Sequence, residues 1–310
     1  ANPDLEEGIS TSLSSTTNLP PSENPREWPE DVGSNHIGAL GNSLDGVEGA
    51  WIRPLPGRFI WGLMEPQKGK YLWTGTDRWV SKWQQNRLGV LVMVWPFAQW
   101  DQNLCHGDEP AIENPREFAG LETGLFVRMY PPCDLDAYTA WLRAMVERYD
   151  GDGENDMPGL KYPIRHWEIG NEPDMQSSSH TLFQGSASDY LELLKLSYST
   201  IKSADPEAQV LIAAPSKFTP DVIEFWEPIL EGGSDYFDIG NMHSLQGSSD
   251  FHASDYRRLL DDSGSIDKPF WVTEAGVFMG GKALAEEELS RVTIPHYASA
   301  FANGAEVLFR

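Results

Sequence analysis

The segment Trp167-Glu168-Ile169-Gly170-Asn171-Glu172-Pro173 carries two carboxyl groups at strand spacing, with a proline directly after the second. On an extended strand alternate side chains share a face, so Glu168, Gly170 and Glu172 point the same way and Pro173 stops the strand there. A second run, Phe270-Trp271-Val272-Thr273, delivers Glu274 and is followed by Ala275-Gly276. Two glutamates at two strand tips can cleave a glycosidic bond. One protonates the leaving oxygen, while the other attacks the anomeric carbon or activates water.

Such a pair needs a scaffold that brings distant strand ends together. Apolar runs at Ala50–Ile52, Val90–Trp95, Ile164–Ile169, Val210–Ala214, Phe237–Ile239, Phe270–Thr273 and Glu306–Phe309 are nearly continuous, as in parallel strands covered on both faces. Amphipathic segments lie between them. Asp134 can cap a helix with Tyr138, Leu142, Met145 and Tyr149 on one face, Thr219-Pro220 opens another, and Ser188 or Asp189 a third. Repeated strand–helix units imply right-handed crossovers and a parallel sheet. With His36–Gly41 as the first strand, the count reaches eight and favours a closed α/β (β/α)8 TIM barrel. Helix one is read as short or absent, and helix eight as lacking, because the last strand ends against Arg310. Residues 1–35 read as an N-terminal tail or extended segment and residues 36–310 as one barrel domain, with the active site at the carboxyl ends of the strands.

Asn171-Glu172-Pro173 on the fourth strand and Thr273-Glu274 on the seventh resemble the retaining glycoside hydrolases of the (β/α)8-barrel clan. The likeness is strongest to the cellulase-, mannanase- and β-xylosidase-like branches. Trp61 to Tyr71, with Asp77 and Val80, is similar to the clan's second loop and helix. The resemblance spans roughly residues 36–309 and implies Glu172 as acid/base and Glu274 as nucleophile. It further implies that Asn171 donates to the sugar 2-hydroxyl, that Arg53 holds Glu274 ionised, and that His243 sits beside the nucleophile. Leu245 stands where clan members often carry an aromatic residue, and Phe309-Arg310 where a Trp commonly ends strand eight. Read as residues alone, Arg53 could equally pair with Glu168, and His243 could be an ordinary packed histidine. His166 reads as an outward-facing structural residue.

The formal charge is −24, from 23 basic and 47 acidic residues. That excludes a counterion-displacing nucleic-acid binder and docking on an anionic membrane. It also favours a neutral glucan, mannan or xylan over an anionic polymer. Twelve tryptophans give ample flat surface for sugar rings, and Trp61, Trp95 and Trp100 fall near strand ends where they could line a subsite. Trp79, Trp83, Trp141 and Trp226 read as helix core. Cys105 and Cys133 are either a bridge, if the protein is exported, or two separate buried thiols. The Ser-, Thr-, Asn- and Pro-rich stretch from Ser10 to Pro25 reads as the start of an exported chain. Asp150, Asp152, Glu154 and Asp156 alternate in a glycine-containing loop suited to a structural calcium, away from the chemistry. No cofactor is expected for catalysis, and the protein is expected to act as a monomer on carbohydrate. A different class stays open: a non-catalytic carbohydrate-binding or scaffold protein on a decayed barrel.

Overall fold

The computed structural model describes residues 27–41, 50–55, 57–112, 127–177, 180–246, 251–278 and 286–310. Its frame is a ring of eight parallel strands, numbered here β1 to β8: Ile37–Leu40, Trp51–Arg53, Gly89–Val94, His166–Ile169, Gln209–Ile212, Gly240–Gln246, Phe270–Phe278 and Ala305–Phe309. They lie in the order β5-β4-β3-β2-β1-β8-β7-β6. The ring closes between its outer members, where Leu211 of β5 bridges Ile239 and the Ile239 amide donates to the Val210 carbonyl at 3.2 Å.

Helices α1 to α8 are Trp61–Met64, Thr74–Gln85, Gln99–Cys105, Leu135–Tyr149, Ala187–Ala204, Pro220–Gly233, Ala253–Asp262 and Glu286–Ala302. Most of the connection between β1 and β2, where helix one was expected short or absent, lies outside the described residues, and β8 ends one residue before Arg310. Asp134 caps α4 by accepting the Ala137 amide at 3.0 Å. The α5 cap differs from expectation by two or three residues. Ser186 and Asp189 form a reciprocal capping box around Ala187 and Ser188, satisfying two amides that would otherwise lack partners. Trp83, Trp141 and Trp226 are buried core residues, and Trp79 packs against them half-exposed.

The barrel interior is layered. At its lower end Trp51, Leu91, Leu211, Ile239, Trp271, Val307 and Phe309 form an apolar cluster. Trp51 fits because Gly89 lacks a side chain: a Cβ there would lie 2.6 Å from the indole. His166 points into this floor rather than outward, stacked on Trp271 at 4.9 Å between ring centroids and edge-on to Trp51. Period-two alternation explains the correction, since His166 shares parity with the inward Glu168. Trp28 stacks on Trp51 at 5.7 Å, so the described residues before 36 pack against the barrel floor. Residues 1–26, which include the stretch read as an exported start, lie outside the described residues.

Candidate active site

One turn above the aromatic floor the interior becomes ionic. Arg53, inward on β2 and fully buried, donates through Nε and Nη2 to Glu168 at 2.6 and 2.9 Å. It also donates through Nη1 to Glu274 at 2.9 Å and through Nη2 to Asn171 Oδ1 at 2.7 Å. Burial opposes its charge, but the carboxylates of Glu168 and Glu274 outweigh that and hold the guanidinium even more firmly protonated than usual. Both readings of Arg53 are therefore met by one side chain, because a planar fork with five donors can serve two carboxylates. Arg53 fixes the Asn171 carbonyl oxygen, which leaves the amide nitrogen as that side chain's outward-facing donor.

Glu172 does not reach the site by strand parity. The strand ends at Ile169, and Gly170 takes a φ of +77° while Glu172 takes +40°. A left-handed conformation at a glutamate costs on the order of 1–3 kcal/mol and persists only where surroundings over-determine it. Here the Gly170 amide is tied to the Val94 carbonyl at 3.0 Å, and the Glu172 carbonyl accepts the Met175 amide at 2.9 Å. The turn swings the Glu172 carboxyl inward, where only 6% of the residue is exposed.

Glu274 needs a different device. Its strand runs on to Phe278 rather than ending at Thr273. Trp271 and Thr273 already face the interior, so regular alternation would send Glu274 outward. The pairing steps from Met242↔Val272 directly to His243↔Glu274, an irregularity that inserts Thr273 as an extra residue. Such a bulge re-aims the following side chain, and Thr273 and Glu274 both turn toward His243.

His243, fully buried, lies between the carboxyls. Its Nδ1 is 2.7 Å from Glu172 Oε1, its Nε2 is 3.0 Å from Thr273 Oγ1, and Nε2 is 3.8 Å from Glu274 Oε1. The resemblance placed it beside the nucleophile, and Nε2 does stand 3.8 Å from Glu274, while its shortest carboxyl contact, through Nδ1, goes to Glu172. Burial works against a charge on this ring, yet Glu274 and Glu172 prevail and its pKa is raised. One oxygen from each of Glu172 and Glu274 and one nitrogen of His243 all lie within 4.8 Å of one another.

The aromatic residues divide. Trp61 is fully buried, donates its indole N–H to Glu65 at 2.6 Å, and packs on Trp100, Tyr138 and Trp141. Trp95 is also fully enclosed. Neither offers an open face, since indoles this large complete the barrel wall; Trp100 alone of the three keeps partial exposure, its N–H bound to the Glu65 carbonyl.

Cys105 and Cys133 are joined in a disulfide that ties the end of α3 to the segment before α4. Closing a loop across a sequence separation of 28 is worth roughly 3–4 kcal/mol by the chain-entropy account. Buried Asp101 holds the same segment by accepting the Cys133 and Asp134 amides at 2.9 and 2.8 Å. This bridged wall and the chain after Glu172 border a groove of about 1060 Å³, lined among others by Tyr130, Gln176 and Phe183.

In the loop before β4, Asp150, Asp152 and Asp156 converge within 4.8 Å, while Glu154 groups with Glu147 and Asp152. The Asp150 carboxyl is pushed up to about 7, first by burial and then by its acidic neighbours. Asp156 accepts the Gly151 and Gly153 amides, so part of the donor set is already engaged by backbone. Calcium would find three carboxylates here, not four.

Two residues in the centre were not singled out from sequence, Asn241 and Thr273. Asn241 shares strand parity with His243, and Thr273 adjoins Glu274; those were the available signals. Asn241 Nδ2 donates to Glu168 Oε1 at 2.8 Å, and Thr273 Oγ1 lies 2.8 Å from Asn241 Oδ1.

No protein-family model and no curated protein matches this chain. Among solved structures it is similar to a glucosidase from Croceicoccus marinus, with a TM-score of 0.60 and 18% identity, over 94% of this chain and 61% of that one. Xylanase XynB from Paenibacillus barcinonensis gives 0.55 and 15%, over 93% and 87% of the two chains. Xylanase 10B from Thermotoga petrophila gives 0.57 and 14%, over 96% and 86%. The chain thus spans about three-fifths of the glucosidase's length and most of each xylanase's. The fold is the (β/α)8 barrel of these glycoside hydrolases.

Proposed function

We propose that this protein is a retaining β-glycoside hydrolase acting on a neutral β-glucan, mannan or xylan by double displacement. The observation that carries the reading is the approach of Glu172 and Glu274 to within 4.8 Å, each with a different partner. One oxygen from each carboxyl that close is compatible with the retaining spacing of roughly 5–5.5 Å between carboxyl groups. Glu274 faces the Arg53 guanidinium, which favours the ionised form a nucleophile needs. Glu172 faces His243, a partner that can share a proton.

In this reading Glu172 protonates the leaving oxygen while Glu274 attacks the anomeric carbon. Glu172 then takes a proton from water as the water displaces Glu274. The Asn171 amide donates to the sugar hydroxyl adjoining the reacting carbon, and Trp100 lends its ring edge to a neighbouring subsite. The anionic charge agrees with a neutral polymer. The disulfide supports export, because such bonds persist in oxidising compartments. The enzyme is taken to act as a monomer without a catalytic cofactor, and the Asp150 loop to hold a structural calcium.

A panel of aryl β-glycosides tests the assignment. Glu274→Ala is expected to abolish turnover, and Glu172→Ala to lose it while regaining activity with azide on activated substrates. Wild type as inactive as both variants, with glycan binding intact, would return the barrel to a binding role.

A further inference from the structure

The ionic layer contains a chain of hydrogen bonds whose direction is set by chemistry alone. Arg53 has only donors, and its two contacts to Glu168 fix that carboxylate as an acceptor. The Asn241 atom 2.8 Å from Glu168 must therefore be its NH2 group, which turns Asn241 Oδ1 toward Thr273. Oδ1 can only accept, so the single Thr273 hydroxyl hydrogen goes to it at 2.8 Å rather than to Glu168 at 3.5 Å. The Thr273 oxygen is left as an acceptor for His243, 3.0 Å away, so His243 carries its hydrogen on Nε2. Nδ1, 2.7 Å from Glu172 Oε1, then has a lone pair facing a carboxyl oxygen. Two acceptors at that distance repel unless a proton lies between them.

We propose that Asn241 and Thr273 are positioning residues that lock His243 in its Nε2–H form, so that Glu172 and His243 hold one proton between them. The proposal rests on the reading of Glu172 as acid/base and says how its proton is retained. Whether that proton sits on Oε1 or Nδ1, the pair carries one and resists losing it. In the first half-reaction it passes to the glycosidic oxygen as the C–O bond breaks and Glu274 bonds to the anomeric carbon. In the second, water supplies a proton back to the pair as its oxygen displaces Glu274.

The charged groups facing His243 are Glu172 from the turn after β4, Glu274 from β7 and Arg53 from β2. None of them can donate to or accept from Nε2 as closely as Thr273 does. Replacing Thr273 removes the close acceptor and leaves Nε2 only Glu274 at 3.8 Å, so the ring can move its hydrogen to Nδ1 and donate to an ionised Glu172 at 2.7 Å. That alternative stabilises the deprotonated pair, so the proton is lost at lower pH.

Histidine 15N resonances read the tautomer directly, with His243→Asn assigning the signal. Wild type is expected to keep Nε2 protonated from acid to mildly alkaline pH, whereas Thr273→Val acquires the Nδ1–H form. On an alkyl β-glycoside, whose poor leaving group needs the acid, the alkaline limb of kcat/KM is expected to fall by about one pH unit in Thr273→Val. Thr273→Ser restores the hydroxyl and the wild-type limb. A bare Nε2 in wild type, or coincident wild-type and Thr273→Val profiles, overturns the relay. Absence of glycoside hydrolysis in wild type would sink the functional reading alone, because the resonance measurement needs no turnover.

Discussion

Two histidine rings project into the interior of this barrel, and their surroundings drive them in opposite directions. His166, on the floor, is packed among Trp28, Trp51 and Trp271, and its Nδ1 has no hydrogen-bond partner among the described residues. Burial first, and the Arg165 charge second, push it down to about 3. His243, near the mouth, is buried more completely still, but Glu274 and Glu172 reverse the outcome. Enclosure alone thus makes a neutral packing ring; enclosure between carboxyls makes a ring that keeps a proton. The barrel separates the two environments by layering, with Trp51 and Arg53 only two residues apart on one strand.

The ionic layer is where a single change should do most damage. Arg53→Met would strand Glu168 and Glu274 without their shared cation, and a loss of about 3–5 kcal/mol in denaturant unfolding is expected. A loss below about 1 kcal/mol would mean the layer is hydrated rather than a buried ion network.

The floor should respond to acid instead. His166 binds its proton far more weakly folded than unfolded, so above about pH 6.5 neither state is charged and its contribution is flat. Between there and about 3 only the unfolded state takes the proton, and stability falls as pH falls, by up to about 1.4 kcal/mol per pH unit. His166→Phe, which keeps a ring against Trp271, is expected to flatten that part of the profile. His243 has the opposite sign: its contribution is present below its ordinary value and lost as pH rises through the raised one. Equal acid slopes for wild type and His166→Phe would erase the contrast between the two rings.

The smallest effect concerns the Asp150 loop, which shares crowded carboxylates with the mouth but has no Arg53 beneath them. Millimolar calcium is expected to raise Tm by about 1–3 °C, the size set by a ligand near tenfold its Kd acting on a domain this large. An unchanged Tm would make the loop a backbone-satisfied acidic turn.

The carboxylate pair was legible in sequence because Asn171-Glu172-Pro173 and Thr273-Glu274 each end an apolar run at a compatible interval. How the carboxyls turn inward was not. Parity pointed Glu172 inward and said nothing of Glu274, yet Glu172 arrives by a left-handed turn and Glu274 by a bulge. Both depend on backbone bonds between strands far apart in sequence. The aromatics were the hardest to sort. An indole suits a wall and a sugar platform equally, and only the partners of Trp61 and Trp95 decided for the wall.

The sequence by itself determined the barrel, because hydrophobic period and caps are local properties, and it marked the two glutamates through short motifs at strand ends. It also gave the two cysteines, though not the bond between them. Tertiary structure alone decided which carboxyl His243 serves, what Asn241 and Thr273 are for, and why His166 stays neutral. Each answer depends on which polar atom meets which across the barrel, and on whether water is shut out there. No spacing along one strand encodes that.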